Sequence, residues 1–228
     1  MKKSNLLTAL LGSAALAVGI SANATPVIRL NDGVAPLVEV LDGGVGDSSA
    51  TAGVVSFNGV VGTAWILNVT TGVGSPFYPD PHLDLNSINA SNIGGVGTQL
   101  DISLSDSGFT LSSLAGVMDF IGSIGGTTQG MVTWWMYVDD TNALFGTQHL
   151  IGMGTNSGPT AFSDSFSSGA FVDGTFSMTL LVRINHGNGL RTSSFDFEGV
   201  GRFVPEPGTI ALLGIGLLGL AFVRRRKA

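Results

Sequence analysis

Polarity along the chain alternates with a period of two. Phe176, Met178, Leu180, Val182 and Ile184 are separated by Ser177, Thr179, Leu181 and Arg183. Leu100, Ile102 and Leu104 alternate with Asp101, Ser103 and Ser105, and Phe195 and Phe197 with Ser194, Asp196 and Glu198. Successive side chains of a strand point to opposite faces, so this pattern predicts strands with one buried face. Val132, Trp134, Met136 and Val138 form another inner set, but Met131, Trp135 and Tyr137 make the opposite face apolar too. That strand is expected to be central or partly covered. Further strands are predicted at 38–41, 53–57, 64–70, 109–114, 115–121, 148–153 and 161–166. The gaps are rich in turn formers: Asp42-Gly43-Gly44, 72–81, 94–97, Gly125-Gly126, 156–159 and His186-Gly187-Asn188-Gly189. No window between 25 and 203 has the 3.6-residue period of an amphipathic helix. The pattern predicts an all-β, antiparallel β-sandwich of jelly-roll or immunoglobulin-like type, in one domain over 25–203.

The two ends break the alternation. Residues 1–24 start with Lys2 and Lys3, continue with an apolar stretch from Leu6 to Ile20, and finish on Ala22-Asn23-Ala24. A positive start, a short apolar run and a small-x-small site are the parts of a secretory signal peptide. Signal peptidase is expected to cut between Ala24 and Thr25. Thr209 to Val223 is a second uncharged run, closed by Arg224, Arg225, Arg226 and Lys227. As a helix its 15 residues cover about 22 Å, short of a hydrocarbon core of about 30 Å. Adding 204–208 and letting the arginines snorkel brings it to spanning length, so a transmembrane helix is expected at about 208–223. Basic flanks stay cytoplasmic, and both ends give one orientation: body periplasmic, C-terminus cytoplasmic.

Composition narrows the function. The chain has 34 Gly in 228 residues, no Cys and only 11% charged residues. The glycines suit many turns and oppose long helices, and without Cys there is no disulfide framework or thiol chemistry. Residues 25–203 hold fifteen Asp and Glu against four Arg, a balance of −11. An acidic surface repels phosphate backbones, which excludes nucleic acid as a partner.

Val204-Pro205-Glu206-Pro207, followed by the apolar run and the Arg224–Lys227 cluster, resembles the PEP-CTERM sorting signal of Gram-negative bacteria. Two prolines fix φ and remove donors, so a helix cannot propagate upstream and Glu206 is held extended. The resemblance implies an exosortase as processing enzyme, cleavage near Pro-Glu-Pro, transient residence in the inner membrane, and a final place on the cell surface or in the extracellular matrix. Such proteins are associated with exopolysaccharide and biofilm. Gly208 stands where the family often has Ser.

Candidate chemistry between the ends is sparse. There is no G-x-S-x-G and no H-E-x-x-H, and His82, His149 and His186 are scattered. G-x-G-x-x-G at 214–219 lies inside the apolar run, where it cannot follow a strand. Asp80, Asp84 and Asn86, with His82, offer oxygen ligands that could hold Ca²⁺; a polar loop with Asx turns explains the same residues. Trp135 and Tyr137 share a face and could stack on sugar rings; ordinary packing against a second layer or a covering loop is the preferred explanation. The expectation is therefore an exported, non-enzymatic surface protein with no cofactor. Two alternatives stay open: a carbohydrate-binding sandwich, with or without Ca²⁺, and a secreted hydrolase.

Overall fold

The computed structural model describes residues 25–78, 81–94, 97–110, 116–172, 174–187 and 189–203. The expected signal peptide and transmembrane helix lie outside the described residues. Within them, twelve strands realise the alternation: β1 (Val27–Asn31), β2 (Val38–Leu41), β3 (Val54–Val61), β4 (Trp65–Val73), β5 (His82–Asn92), β6 (Gln99–Thr110), β7 (Gly116–Thr128), β8 (Met131–Asp139), β9 (His149–Ser157), β10 (Thr160–Val172), β11 (Thr175–Asn185) and β12 (Arg191–Phe203). Among the described residues there is no helix, and so none long and apolar enough to cross a membrane.

The strands form two six-stranded antiparallel sheets. Sheet A has the order β2-β1-β6-β11-β8-β9 and sheet B the order β10-β7-β12-β5-β4-β3. Their inner faces pack as a sandwich. Phe176, Met178, Leu180, Val182 and Ile184 of β11 are all fully buried, as are Leu100, Ile102 and Leu104 of β6. Phe197 meets them from sheet B, with Phe120, Leu83 and Leu85 beside it. Each such side chain contributes about 1.5–3 kcal/mol when fully buried.

Two strands went unread in the sequence, and one turn was misplaced. β1 is short, and β5 has polar residues where a core face would be expected. Ser87 of β5 points inward and is fully buried, but its hydroxyl shares a 2.9 Å hydrogen bond with Thr70 of β4. Of the strand expected at 109–114, Phe109 and Thr110 belong to β6 and 111–114 lie outside the described residues. The Gly125-Gly126 turn is not a turn: both residues lie in β7, paired with Ser163 and Phe162 of β10.

Glycine is used here as space. A Cβ on Gly122 or Gly152 would overlap the Phe166 ring, and one on Gly126 would touch the tip of Phe162. Trp134 lies over Gly154 in the same way and stacks on Phe162, with ring centroids 5.6 Å apart. These contacts seal the side of the sandwich where β9 and β10 are the free edges of their sheets. Placing Val at Gly152 should therefore cost about 1–3 kcal/mol by overpacking against Phe166. A thermal melt of Gly152→Val coinciding with the native one would remove this account of the seam.

Candidate functional site

The outer face of sheet A gathers the aromatic residues singled out in the sequence. β8 points Trp134 and Met136 into the core and leaves Trp135 and Tyr137 half-exposed on the other side. Register sets their neighbours. Trp135 lies between Leu181 of β11 and Met153 of β9, and Tyr137 between Thr179 and Leu150. Met153 and Leu150 are 53% and 48% exposed, so among the described residues no further layer covers them. The face of β8 that packs into the core is the Trp134 face.

Charge on this surface is paired. Arg183 reaches Asp101 through two hydrogen bonds of 2.7 and 2.8 Å, and its guanidinium lies 5.5 Å from the Trp135 ring centroid. The Asp101 hydrogen bond raises the Arg183 pKa further above its usual range. Arg29 pairs with Glu39 at 2.6 Å and sits 3.7 Å over the ring of Phe145. Burial pushes the Tyr137 phenol up, with Arg183 opposing. Flat rings beside fixed, neutralised donors and acceptors can receive the apolar face of a sugar ring and its hydroxyls together.

Sheet B carries an acidic cluster on its outer face. β5 and β12 place Asp84 opposite Glu198 and Asn86 opposite Asp196. Asp84 and Asn86 are thus strand residues, which corrects the polar-loop reading; Asp80 lies outside the described residues. His82 Nε2 is 2.9 Å from Glu198 Oε1, and Tyr78 stacks on His82 at 3.8 Å with 8° between the planes. Burial raises the Asp84 pKa, and the charge and hydrogen bond of Asp196 push it the same way. Among the described residues no group of three or more His, Asp and Glu is arranged to hold a metal ion.

Two further buried groups were not legible as sites. His186 Nε2 lies 2.8 Å from Ser193 Oγ, and both residues are buried. Ser193 also bonds Thr128 at 2.7 Å, and His186 Nδ1 meets no acceptor among the described residues. The three side chains form one buried polar network. Surface cavities of about 380 and 520 Å³ are lined by neutral polar residues, with Asp164 the one acidic side chain in either. Asp106, fully buried near the end of β6, accepts from Ser75 N and Ser107 N, each at 2.8 Å.

Ala22, Ala24, the Val204–Pro207 motif and the Arg224–Lys227 cluster lie outside the described residues, and Thr25 is the first one described. β12 ends at Phe203, one residue before Val204. Fold and sequence together define a β-sandwich with a sorting address appended to its last strand. Residues 203–227 match the family model of the PEP-CTERM protein-sorting motif, so the chain carries a PEP-CTERM sorting domain. The motif marks an exported protein sorted by an exosortase. No curated protein matches the chain. Among solved structures it is similar to an arabinose-bound MgGH51 α-L-arabinofuranosidase, at 12% identity, over 78% of this chain and 26% of that one, with a TM-score of 0.30. The chain thus spans about a quarter of that protein, and nothing about activity follows from the likeness.

Burial raises the pKa of Asp106 from 3.8 to about 7, against its two backbone donors and with repulsion from Asp42. The native state then holds a proton that the unfolded chain releases, so this group costs stability as pH rises from about 4 to about 7. His186 acts in the opposite sense. Burial, with Arg191 adding, lowers it to about 4, so it costs stability as pH falls below 6.5. Asp106→Asn should gain stability relative to the native chain as pH increases from 4 to 8. Urea denaturation across that range gives the test; a difference that does not vary with pH would reject it.

Proposed function

We propose that this chain is a non-catalytic surface or extracellular-matrix protein, cleaved at its Pro-Glu-Pro signal and holding exopolysaccharide on the outer face of sheet A. The open Trp135–Tyr137 surface, with Arg183 and Asp101 locked beside it, supports the glycan reading. Signal peptidase removes residues 1–24, the apolar run at 208–223 crosses the inner membrane, and the exosortase releases the sandwich to the cell exterior. Because both arginines on the face are neutralised by carboxylates, and the body is acidic as a whole, the polymer it favours is uncharged. Anionic polysaccharide would meet net repulsion.

Alanine at both Trp135 and Tyr137 should abolish retention on neutral exopolysaccharide, with roughly 1–3 kcal/mol of binding lost per ring as an upper range for stacking contacts. The melting temperature should stay near native, because both rings are half-exposed. Undiminished retention of the double variant would reject the face as the binding surface. Mass spectrometry of the surface-located form should find Arg224 to Ala228 absent; finding them attached would reject the processing.

A further inference from the structure

The end of β12 joins the fold to the sorting signal without an intervening linker. Pairing of β12 with β7 runs on to Arg202 opposite Asp119 and Phe203 opposite Met118. On the other side, its pairing with β5 ends at Val200 opposite His82, and Gly201 N–H donates to the Pro81 carbonyl at 2.8 Å. The match to the sorting motif starts at Phe203 itself. The last residue of the sheet is therefore the first of the motif. Extended chain covers at most about 3.6 Å per residue, so Glu206 lies within about 11 Å of the strand end.

That distance is shorter than a folded body needs to stand clear of an enzyme reading extended backbone at Pro-Glu-Pro. Upstream, β12 is firmly held. Phe195 and Phe197 are buried, and Gly199 lies against Leu180 and Met136. Gly201 is still held: it is buried, its N–H donates to Pro81, and a Cβ there would meet Phe120 and Met118. Beyond it the ties weaken, because Arg202 is exposed and 202–203 are paired to β7 alone. Residues 202–203 thus form a peelable tab. We propose that the sorting enzyme works against the end of the sandwich formed by Pro81–His82, Met118–Asp119 and the terminus of β12, and that it engages its substrate only after 202–203 detach from β7. The rate of processing is then set by the cargo's last strand. The inference rests on the exosortase cleavage proposed above.

The experiment is a pulse-chase of the full chain in exosortase-bearing cells. A ten-residue Gly/Ser insertion between Phe203 and Val204 should speed conversion to the processed form by on the order of tenfold, the weight of one or two ladder hydrogen bonds. Arg202→Pro, which removes a backbone donor and loosens the same tab, should speed it as well. The same insertion between Gly158 and Pro159 should leave the rate native. Unchanged or slower conversion in both tab variants would overturn the proposal. Failure of every chain to be converted, the native one included, would instead remove the cleavage reading on which it stands.

Discussion

The register of β11 is the constraint on which the rest depends. β11 lies inside sheet A, between β6 and β8, and its inner side chains from Phe176 to Ile184 are fully buried. A slip of one residue would turn Thr179 and Arg183 into the core and expose five large apolar groups. The same register decides the outer surface. It sets Arg183 opposite Asp101 on one side and Thr133 on the other, and Leu181 beside Trp135. Core and candidate binding face are two readings of one alignment, so neither can shift without the other.

How far the sequence could be read follows from what alternation reports. β11 and β8 were legible because apolar residues occupy every inner position, and β12 because Phe195 and Phe197 mark its inner face. β5 was not, since Ser87 takes an inner position and is satisfied across the sheet by Thr70. Periodicity counts greasy side chains and cannot see a polar pair that solves its own desolvation. β7 was misread for a related reason. Gly125 and Gly126 look like a turn, but the space above Gly126 is taken by the β12 backbone at Ser194 and Phe195 and by the tip of Phe162 of β10. Trp135 and Tyr137 could be placed on one face from spacing alone. Their setting could not: Arg183 and Asp101 are 82 positions apart, and only strand order brings them together.

Charge is distributed to serve solubility without steering the fold. With fifteen carboxylates and four arginines in 25–203, most acids have no cation to pair with. Arg29 and Arg183 lie on sheet A, each held by an acid and resting on an aromatic ring. Sheet B instead crowds Asp84, Asp196 and Glu198 together, with His82 as the neighbouring group able to become cationic. The two outer faces are thus chemically distinct: one balanced and aromatic, the other acidic and proton-binding. On the glycan reading proposed above, a polymer of neutral sugars would be attracted to the first and little to the second, giving the molecule a sided surface.

The division between address and cargo is not clean at the atomic level. A sorting signal that acts as a transferable tag needs separation from the body it carries, and a flexible linker would supply it at small entropic cost. Here Phe203 belongs to both. Abutment means that the stability of one strand end enters the chemistry of sorting, and that an unfolded body, with β12 loose, presents its signal more readily than a folded one. Retention of the pairing to Met118 under selection for export therefore requires either that slow release is useful or that the sheet gains from the extra rungs. Gly201 is buried against Phe120, Met118 and Pro81, so the rungs up to 201 serve the sheet, whereas the exposed Arg202 adds little apolar burial and for its rung slow release is the better explanation.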